Sequence, residues 1–277
     1  MRDAEIQEIE ISLFLEALRL RHGYDFRNYA RASLKRRILG LAQSEGCVTV
    51  DALIPRLLRD QGFLPRLLAR LSVPVTELFR DPAVFLVLRD EVLPMLGSYP
   101  RIVFWQAGCA TGEECYSLGI LLKEMGLLQK SQIYATDIND AALATAEEGI
   151  YPTRAIAECE ASYRKAGGIG VISEYFHSAY DYAKITDEIR SHIVFAHHNL
   201  VTDGVFCEVH MVLCRNVLIY FDRNLQNRVA WLFHDSLVRG GFLCLGTRET
   251  LQFAEVANQF KTVHRDCRIF KKTGATP

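Results

Sequence analysis

The sequence predicts an α/β fold: a doubly wound, mostly parallel sheet in residues 101–277 and a small all-helical domain in residues 1–72. Two observations support this prediction. From residue 101 onward, short apolar strands alternate with amphipathic helices, the pattern produced by parallel strands joined through crossover helices. Residues 1–72, in contrast, contain only helical spacings of apolar residues. Residues 73–100 are predicted to be a linker followed by one helix.

Composition excludes several classes of protein. The chain has 277 residues, of which 49% are hydrophobic and 23% charged, so it can bury a core without a disulfide scaffold. A formal net charge of -1 argues against a nucleic-acid partner. No apolar run is long enough for membrane insertion and no signal core is visible, so we expect a cytoplasmic protein. The eight cysteines form no C-x-x-C pair and the histidines form no H-E-x-x-H, so no metal site is expected.

The first predicted helix carries apolar residues at helical spacing and ends before Gly23. Its expected buried stripe is Ile6, Ile9, Leu13, Ala17 and Leu20. The second is expected over residues 26–45, with the apolar stripe Ala30, Leu34, Ile38 and Leu41. Another side of this helix is basic, and its members are Arg27, Arg31, Lys35 and Arg36, with Arg37 adjacent. Two shorter helices are predicted near residues 50–59 and 65–71.

A linker, SVPVT, occupies residues 72–76. Asp81 as N-cap and Pro82 at the first helical position predict a helix that ends before Pro94. Strands are then expected over residues 101–106, 132–136, 210–214 and 240–246, with a closing strand over 262–271. The helices between them are expected over residues 113–124, 141–148 and 222–238.

The loop after the first strand, AGCATG in residues 107–112, consists of small residues that let a ligand approach the backbone. It lacks the P-loop and G-x-G-x-x-G patterns, and Glu113 and Glu114 would repel a pyrophosphate. Asp137 ends the second strand, where a carboxylate can accept hydrogen bonds from ribose hydroxyls. A cationic, ribose-bearing cofactor without phosphate is S-adenosylmethionine. Acidic residues at a helix start are also ordinary partners of the helix dipole, so this reasoning leaves both interpretations open.

Six separated motifs occur in one order along the chain: VTELFRDP (75–82), WQAGCATGEECYSL (105–118), ATDIN (135–139), HNL (198–200), CRNVLIYF (214–221) and GGFLCLGTRE (240–249). In these motifs the sequence resembles the bacterial chemotaxis receptor methyltransferases, the CheR family, over nearly its whole length. The resemblance implies a Rossmann-like methyltransferase sheet, a helical N-terminal domain and a small β-subdomain near residues 175–195. It also implies S-adenosylmethionine-dependent methylation of glutamate carboxylates on chemoreceptors during sensory adaptation.

The resemblance assigns roles to particular residues. Asp137 would bind the ribose, Asn199 and Leu200 would border the adenine, and Asn216 and Val217 would lie beside the methionine part. The full set implied for the cofactor is Thr76, Arg80, Ala107, Gly108, Glu114, Asp137, Ile138, Asn199, Leu200, Asn216 and Val217. Arg80 and Tyr220 are the catalytic candidates, because they could orient the substrate carboxylate. The basic face of the second helix is expected to be free to dock the acidic helical region of a receptor.

Three positions depart from the family pattern: Pro74, Cys115 and Thr247. No Gly-rich extension lies between residues 176 and 185, so no tether to a receptor pentapeptide is expected. A monomer is expected.

Other interpretations remain open. The chain could methylate a different carboxylate, or bind S-adenosylmethionine or S-adenosylhomocysteine as a non-catalytic signalling module. Asp137 could be a strand-end cap, Asn216 a turn residue and Arg80 a structural partner of Asp81 or Glu77. The basic face could simply be solvated.

Overall fold

The structure is a computed structural model that describes residues 3–72 and 74–274. The N-terminal domain consists of α1 (Asp3–His22), α2 (Arg31–Ser44), α3 (Ile54–Arg59) and α4 (Phe63–Leu71), with a 3₁₀ turn at Asp51–Leu53 before α3. Its buried side chains form one hydrophobic core, drawn from all four helices and the segments between them. The all-helical domain predicted from the sequence is therefore confirmed.

The buried face of α1 is not the predicted one. Ile11, Phe14, Leu15 and Leu18 are buried, whereas Ile6, Ile9, Leu13 and Leu20 are exposed. Helix α1 has apolar residues on both faces, and spacing alone cannot tell which face meets the other helices. The predicted stripe was therefore wrong, although the helix and its end before Gly23 were correct.

Helix α2 begins at Arg31, five residues later than predicted. The preceding residues form a turn and a β-bridge, Tyr29 with Phe221, because they pair with the larger domain. The Ala30 N–H donates to the Tyr220 carbonyl at 2.7 Å, and the Asp222 N–H donates to the Asn28 carbonyl at 2.8 Å. Consequently Arg27 precedes α2 and does not share a helical face with Arg31.

The helix after the linker continues past its predicted end. Helix α5 (Pro82–Val87) leads through a π turn at Leu88–Val92 into α6 (Leu93–Leu96). Pro94 has no N–H to donate, so the regular hydrogen-bond pattern of an α-helix is interrupted there. The wider π turn before it accommodates this interruption. Asp81 is not a side-chain cap: its φ is 54°, and its carboxylate instead pairs with Arg215.

The described part of the larger domain contains a seven-stranded sheet in the order β6-β2-β1-β7-β8-β10-β9. Its strands are β1 (Ile102–Ala107), β2 (Ser131–Asp137), β6 (Ile193–His197), β7 (Val209–Cys214), β8 (Leu237–Leu245), β9 (Phe260–His264) and β10 (Ile269–Lys272). Strands β6, β2, β1, β7 and β8 are parallel, and β10 is antiparallel to β8 and β9. The predicted mostly parallel sheet is confirmed, but the single closing strand is a hairpin.

Strand order reverses between β1 and β7, so a crevice opens at their carboxyl ends. Helices α7 (Glu113–Glu124), α8 (Asp140–Glu148) and α11 (Arg223–Ser236) follow β1, β2 and β7. Buried side chains on the two faces of the sheet form two cores, which fix the strand ends that border the crevice.

The small antiparallel sheet has the order β3-β5-β4, from β3 (Ile150–Pro152), β4 (Phe176–Ala179) and β5 (Tyr182–Ile185). It is the predicted β-subdomain, but one of its strands precedes the predicted residues 175–195. The end of that range belongs to β6 of the large sheet. Helix α9 (Thr153–Lys165), which the sequence did not reveal, separates β3 from β4, and α10 (Asp187–Arg190) follows β5. Within the described ranges, no helix combines the length and apolar character needed to cross a bilayer.

Candidate active site

A cleft of about 320 Å³ lies at the crevice, between the helical domain and the large sheet. The helical domain contributes Phe26, Tyr29, Arg37 and Leu71 to its walls. The larger domain contributes most of the residues that the sequence predicted for the cofactor. These are Gly108, Glu114, Asp137, Ile138, Asn199, Leu200, Asn216 and Val217. Thr76 and Arg80 also line the cleft, from the segment that connects α4 to α5. Ala107 lies in β1, fully buried, and is outside this lining set.

The loop after β1 is held tightly against the opposite wall. Gly108 has a φ of 75°, and a Cβ there would lie 2.5 Å from Cγ2 of Val217. The Gly108 and Cys109 N–H groups donate to the Thr136 carbonyl at 2.8 and 2.9 Å. Only glycine therefore fits at this position without moving Val217, and the loop backbone is exposed to whatever fills the cleft.

Asp137 joins the two loops that flank the crevice. Its Oδ2 accepts from the Ala110 N–H at 2.9 Å, and its Oδ1 accepts from the Asn139 N–H at 2.9 Å. Burial raises the pKa of this carboxyl above its usual range. Each carboxylate oxygen has a second acceptor position. Asp137 can therefore also accept hydrogen bonds from two ribose hydroxyls.

Glu114 is part of a charged network. Its Oε1 accepts from Gln106 Nε2 at 2.8 Å and its Oε2 from Arg215 Nη1 at 2.5 Å. Arg215 Nη2 in turn lies 2.6 Å from Asp81 Oδ2. The Arg215 side chain is 1% exposed, so its charge offsets that of Glu114 inside the protein. Glu114 is therefore paired inside the protein as well as lining the cleft, and its assignment to the cofactor stays a prediction.

Asn216 occupies a strained turn that another carboxylate holds in place. Its φ is 62°, a left-handed conformation that asparagine adopts more readily than most residues. Glu249 accepts from the Gly246, Asn216 and Ile219 N–H groups at 2.6, 3.1 and 3.2 Å. Burial raises the pKa of the Glu249 carboxyl. The departure at Thr247 thus leaves intact the glutamate that builds this turn.

Two partly exposed cationic side chains, Arg37 and Arg80, line the mouth of the cleft together with Tyr220. The guanidinium of Arg37 lies 4.6 Å from the centre of the Tyr220 ring and donates to the Leu71 carbonyl. Arg80 Nη1 lies 3.4 Å from the Val75 carbonyl. Within residues 3–72 and 74–274, neither arginine forms an ion pair. Asp81 is occupied by Arg215, so the alternative of an Arg80–Asp81 pair is not observed.

The predicted basic docking face is largely occupied by acids of the same domain. Arg31 and Lys35 share Glu8, each at 2.8 Å. Arg27 pairs with Asp25 at 2.7 Å and with Glu16 at 3.3 Å. Hydrogen bonds from Lys35 and Arg31 lower the pKa of Glu8. The expectation that these three side chains are free was wrong, because Glu8 and Glu16 of α1 and Asp25 after it lie beside them. Arg36 is exposed and forms no ion pair with the part of the chain that the structure describes.

Four residues of the site were not predicted from the sequence: Arg37, Arg215, Glu249 and His198. His198 Nε2 lies 3.1 Å from the Gly204 carbonyl, which only accepts, so Nε2 carries the hydrogen. Arg215 lies inside the CRNVLIYF motif, and Arg37 is adjacent to the basic face of the second helix. Both were noted in the sequence, but no role in the site was assigned to either. A charged residue next to a buried apolar strand was the signal that could have identified Arg215.

The residues of the cleft fit S-adenosylmethionine. Gln106 Oε1, His198 Nδ1 and Asn216 Oδ1 are buried polar atoms without a partner among the described residues. All three belong to side chains of the cleft wall. Together with Asp137 they could form hydrogen bonds with the hydroxyl and amino groups of the nucleoside and amino-acid parts of the cofactor.

Comparison with known proteins agrees with this geometry. Residues 9–72 match the CheR methyltransferase all-alpha domain, and residues 74–269 match the CheR methyltransferase, SAM binding domain. The Pseudomonas putida protein named Cher3 is 48% identical over 266 residues, which cover 96% of this chain and 97% of that protein.

Proteins named as chemotaxis methyltransferases are also similar. The "Chemotaxis protein methyltransferase" of Listeria innocua is 31% identical over 83% of this chain and 85% of its own length. The "Chemotaxis protein methyltransferase 1" of Pseudomonas aeruginosa is 31% identical over 78% of this chain and 80% of its own length. Both domain matches and these relatives lead to one conclusion: the chain belongs to the CheR family of S-adenosylmethionine-dependent chemotaxis methyltransferases.

Proposed function

We propose that this protein transfers a methyl group from S-adenosylmethionine to glutamate side chains of chemoreceptors, which gives methyl esters in sensory adaptation. The observation that supports this most is the pair of arginines at the cleft mouth. Arg37 comes from the helical domain and Arg80 from the connecting segment, and both lack a carboxylate partner within the described residues. A substrate glutamate would supply the missing anion.

The chemistry requires positioning more than proton transfer. A glutamate side chain has a pKa of about 4.3, so it is already ionised at neutral pH and needs no general base. The bound cofactor supplies a methyl group made electrophilic by a cationic sulfur. Arg80 and Arg37 would hold the incoming carboxylate by charge-assisted hydrogen bonds, and the Tyr220 hydroxyl could donate a further one.

The charge balance of the cleft supports a carboxylate substrate. Glu114 would repel a carboxylate substrate, but Arg215 Nη1 lies 2.5 Å from it and offsets part of its charge, the same guanidinium being shared with Asp81. Asp137 also lines the cleft, where it accepts hydrogen bonds from two backbone N–H groups. The mouth of the cleft is left with the positive charges of Arg37 and Arg80, which favours anions there.

The receptor region would dock beside this mouth on the helical domain. Arg36 is exposed on α2, one residue before Arg37. The pairs of Arg31 and Lys35 with Glu8 are partly exposed, and such pairs are each worth only about 0.2–1 kcal/mol. An acidic receptor helix could therefore compete for these cations as well. A cytoplasmic location follows from this proposal, because the methylated region of a chemoreceptor is cytoplasmic.

A pentapeptide tether is not part of the proposal. Strands β4 and β5 are joined by only two residues, Tyr180 and Asp181, at the place where a Gly-rich extension would lie. Docking through the helical domain would then supply the affinity for the receptor.

A methyl-transfer assay separates this proposal from its two alternatives. The protein is incubated with S-adenosylmethionine labelled on the methyl carbon and with cytoplasmic fragments of chemoreceptors. Base-labile label on receptor glutamates is the expected result. Label on another carboxylate acceptor only would favour a different substrate. Binding of S-adenosylhomocysteine without transfer to any acceptor would favour a non-catalytic module and would overturn the proposal.

A further inference from the structure

The outward face of α1 is unusually apolar for a surface helix. Ile6, Ile9, Leu13 and Leu20 are 40%, 48%, 55% and 70% exposed. The opposite face of the same helix is already buried in the core of the domain through Ile11, Phe14, Leu15 and Leu18. A helix that is apolar on both faces is normally covered on both, and contiguous apolar surface commonly marks an interaction site.

The spacing of the exposed residues is that of a coiled-coil seam. Ile6, Leu13 and Leu20 are seven residues apart, and Ile9 follows Ile6 by three. Such a seam suits a partner helix that lies along α1, not a compact ligand. Between Ile6 and Leu20 the helix rises by about 21 Å, so roughly four turns could make contact.

The charges along α1 indicate which partner fits. The first turn carries Asp3 and Glu5, whereas the last turn carries Arg19, Arg21 and His22. Two copies of this helix in antiparallel orientation would bring the acidic end of each beside the basic end of the other. This self-complementarity is what a two-fold interface requires. An acidic partner helix would instead meet the acidic half of α1 and be repelled.

We propose that α1 packs antiparallel against α1 of a second copy of this chain. With Leu13 at the two-fold axis, Ile6 lies level with Leu20 of the second copy, and Asp3 lies within about one helical turn of Arg21 of the second copy. Both Asp3 and Arg21 are exposed, and Arg21 forms no ion pair with the described residues. This dimer departs from the monomer expected from the sequence and does not depend on the proposed substrate.

One helix on each side makes a small interface, below the roughly 1,200 Å² typical of stable complexes, so the dimer should be weak. Sedimentation velocity from about 1 to 200 μM covers the micromolar range expected for it. For the natural protein, the dimer fraction should rise with concentration. In Leu13→Gln with Leu20→Gln it should fall at least tenfold. The matched control Ile169→Gln, which changes an apolar side chain that is 73% exposed elsewhere, should behave as the natural protein does.

A charge exchange tests the orientation. Asp3→Arg should weaken association, because it sets two arginines side by side, and Asp3→Arg with Arg21→Asp should restore it. S-adenosylhomocysteine binding, measured on every variant, verifies that each is folded. A monomer at all concentrations, or a dimer that survives Leu13→Gln with Leu20→Gln, overturns the proposal. So does a double exchange that fails to restore association, since that result excludes the antiparallel arrangement.

Discussion

Asp137 performs two tasks with one carboxylate. It closes the strand end by accepting from Ala110 and Asn139, and it keeps acceptor positions toward the cleft. Asp137→Ala should therefore weaken S-adenosylhomocysteine binding at least 10- to 100-fold, since the loss of even one hydrogen bond to a charged group costs about 1.5–3 kcal/mol. Calorimetric titration measures this affinity, and a thermal melt verifies that the variant is folded. Unchanged affinity would exclude the ribose role.

The raised pKa of Asp137 gives a pH dependence. Only the ionised carboxylate can accept from two hydroxyls, so affinity should be full above the pKa and fall as pH decreases through it. Because burial raises this pKa from the usual 3.8, the decline should begin at a higher pH than for an exposed aspartate. S-Adenosylhomocysteine affinity measured against pH tests this prediction. Asp137→Asn is the control and should show a flatter profile.

Arg80 is predicted to act on the substrate without supporting the fold. Its side chain has only a 3.4 Å contact with the Val75 carbonyl and no ion pair with the described residues. Arg80→Ala should lower kcat at least tenfold with little change in melting temperature. Arg80→Lys should recover only part of this activity, because an ammonium cannot bind a carboxylate in the bidentate geometry of a guanidinium. Near-normal turnover in both variants would contradict the role.

At the scale of elements, the turn around Asn216 depends on a residue distant in sequence. Glu249 accepts hydrogen bonds from three backbone N–H groups. Two of them, of Asn216 and Ile219, lie in the turn after β7, and the third, of Gly246, lies in the turn after β8. Glu249→Gln keeps the size of the side chain but replaces one acceptor oxygen with a donor. We expect a loss of about 2 kcal/mol in the free energy of unfolding and a melting temperature lower by about 4–8 °C.

Cofactor affinity should fall together with stability in Glu249→Gln, because Asn216 and Val217 lose their support. The matched control is Arg248→Gln, which alters the adjacent exposed side chain of the same turn. If both variants melt and bind alike, the carboxylate of Glu249 does not hold the turn.

Elements with strong periodicity were predictable, and those that depend on tertiary contacts were not. Helix α7 has the predicted bounds, because the small-residue loop before it and the apolar period within it are local features. Helix α2 starts late because residues 28–30 pair with residues 220–222, a contact that no local pattern encodes. The exposed face of α1 was mistaken for the buried one because both are apolar.

The same distinction applies to the site. Asp137 and Glu114 were located by their positions at a strand end and a helix start. The partner of Glu114 was not, because Arg215 is 101 residues away along the chain and meets it only in the folded sheet. Arg37 belongs to a different domain from the strands it faces, so the two-domain character of the cleft became visible only in the structure.

At the scale of the whole molecule, the helical domain completes one wall of the cleft and presents α2 beside it. Substrate recognition should therefore depend on cations that cofactor binding does not use. Arg36→Glu should raise the KM for a receptor fragment about two- to fivefold at low ionic strength, which corresponds to roughly 0.4–1 kcal/mol, the scale of one exposed charge contact. The KM should also become less sensitive to salt, because one screened attraction has been removed.

Arg101→Glu is the matched control for this test, because it makes the same charge change on an exposed residue before the first residue of β1. The cleft lies at the other end of that strand, about 20 Å away over six residues. Both variants should bind S-adenosylhomocysteine as the natural protein does. A change confined to the receptor KM of Arg36→Glu would indicate that the receptor docks on α2. Equal KM values in the two variants would instead leave Arg36 as a merely solvated side chain, so the receptor would have to dock through other residues.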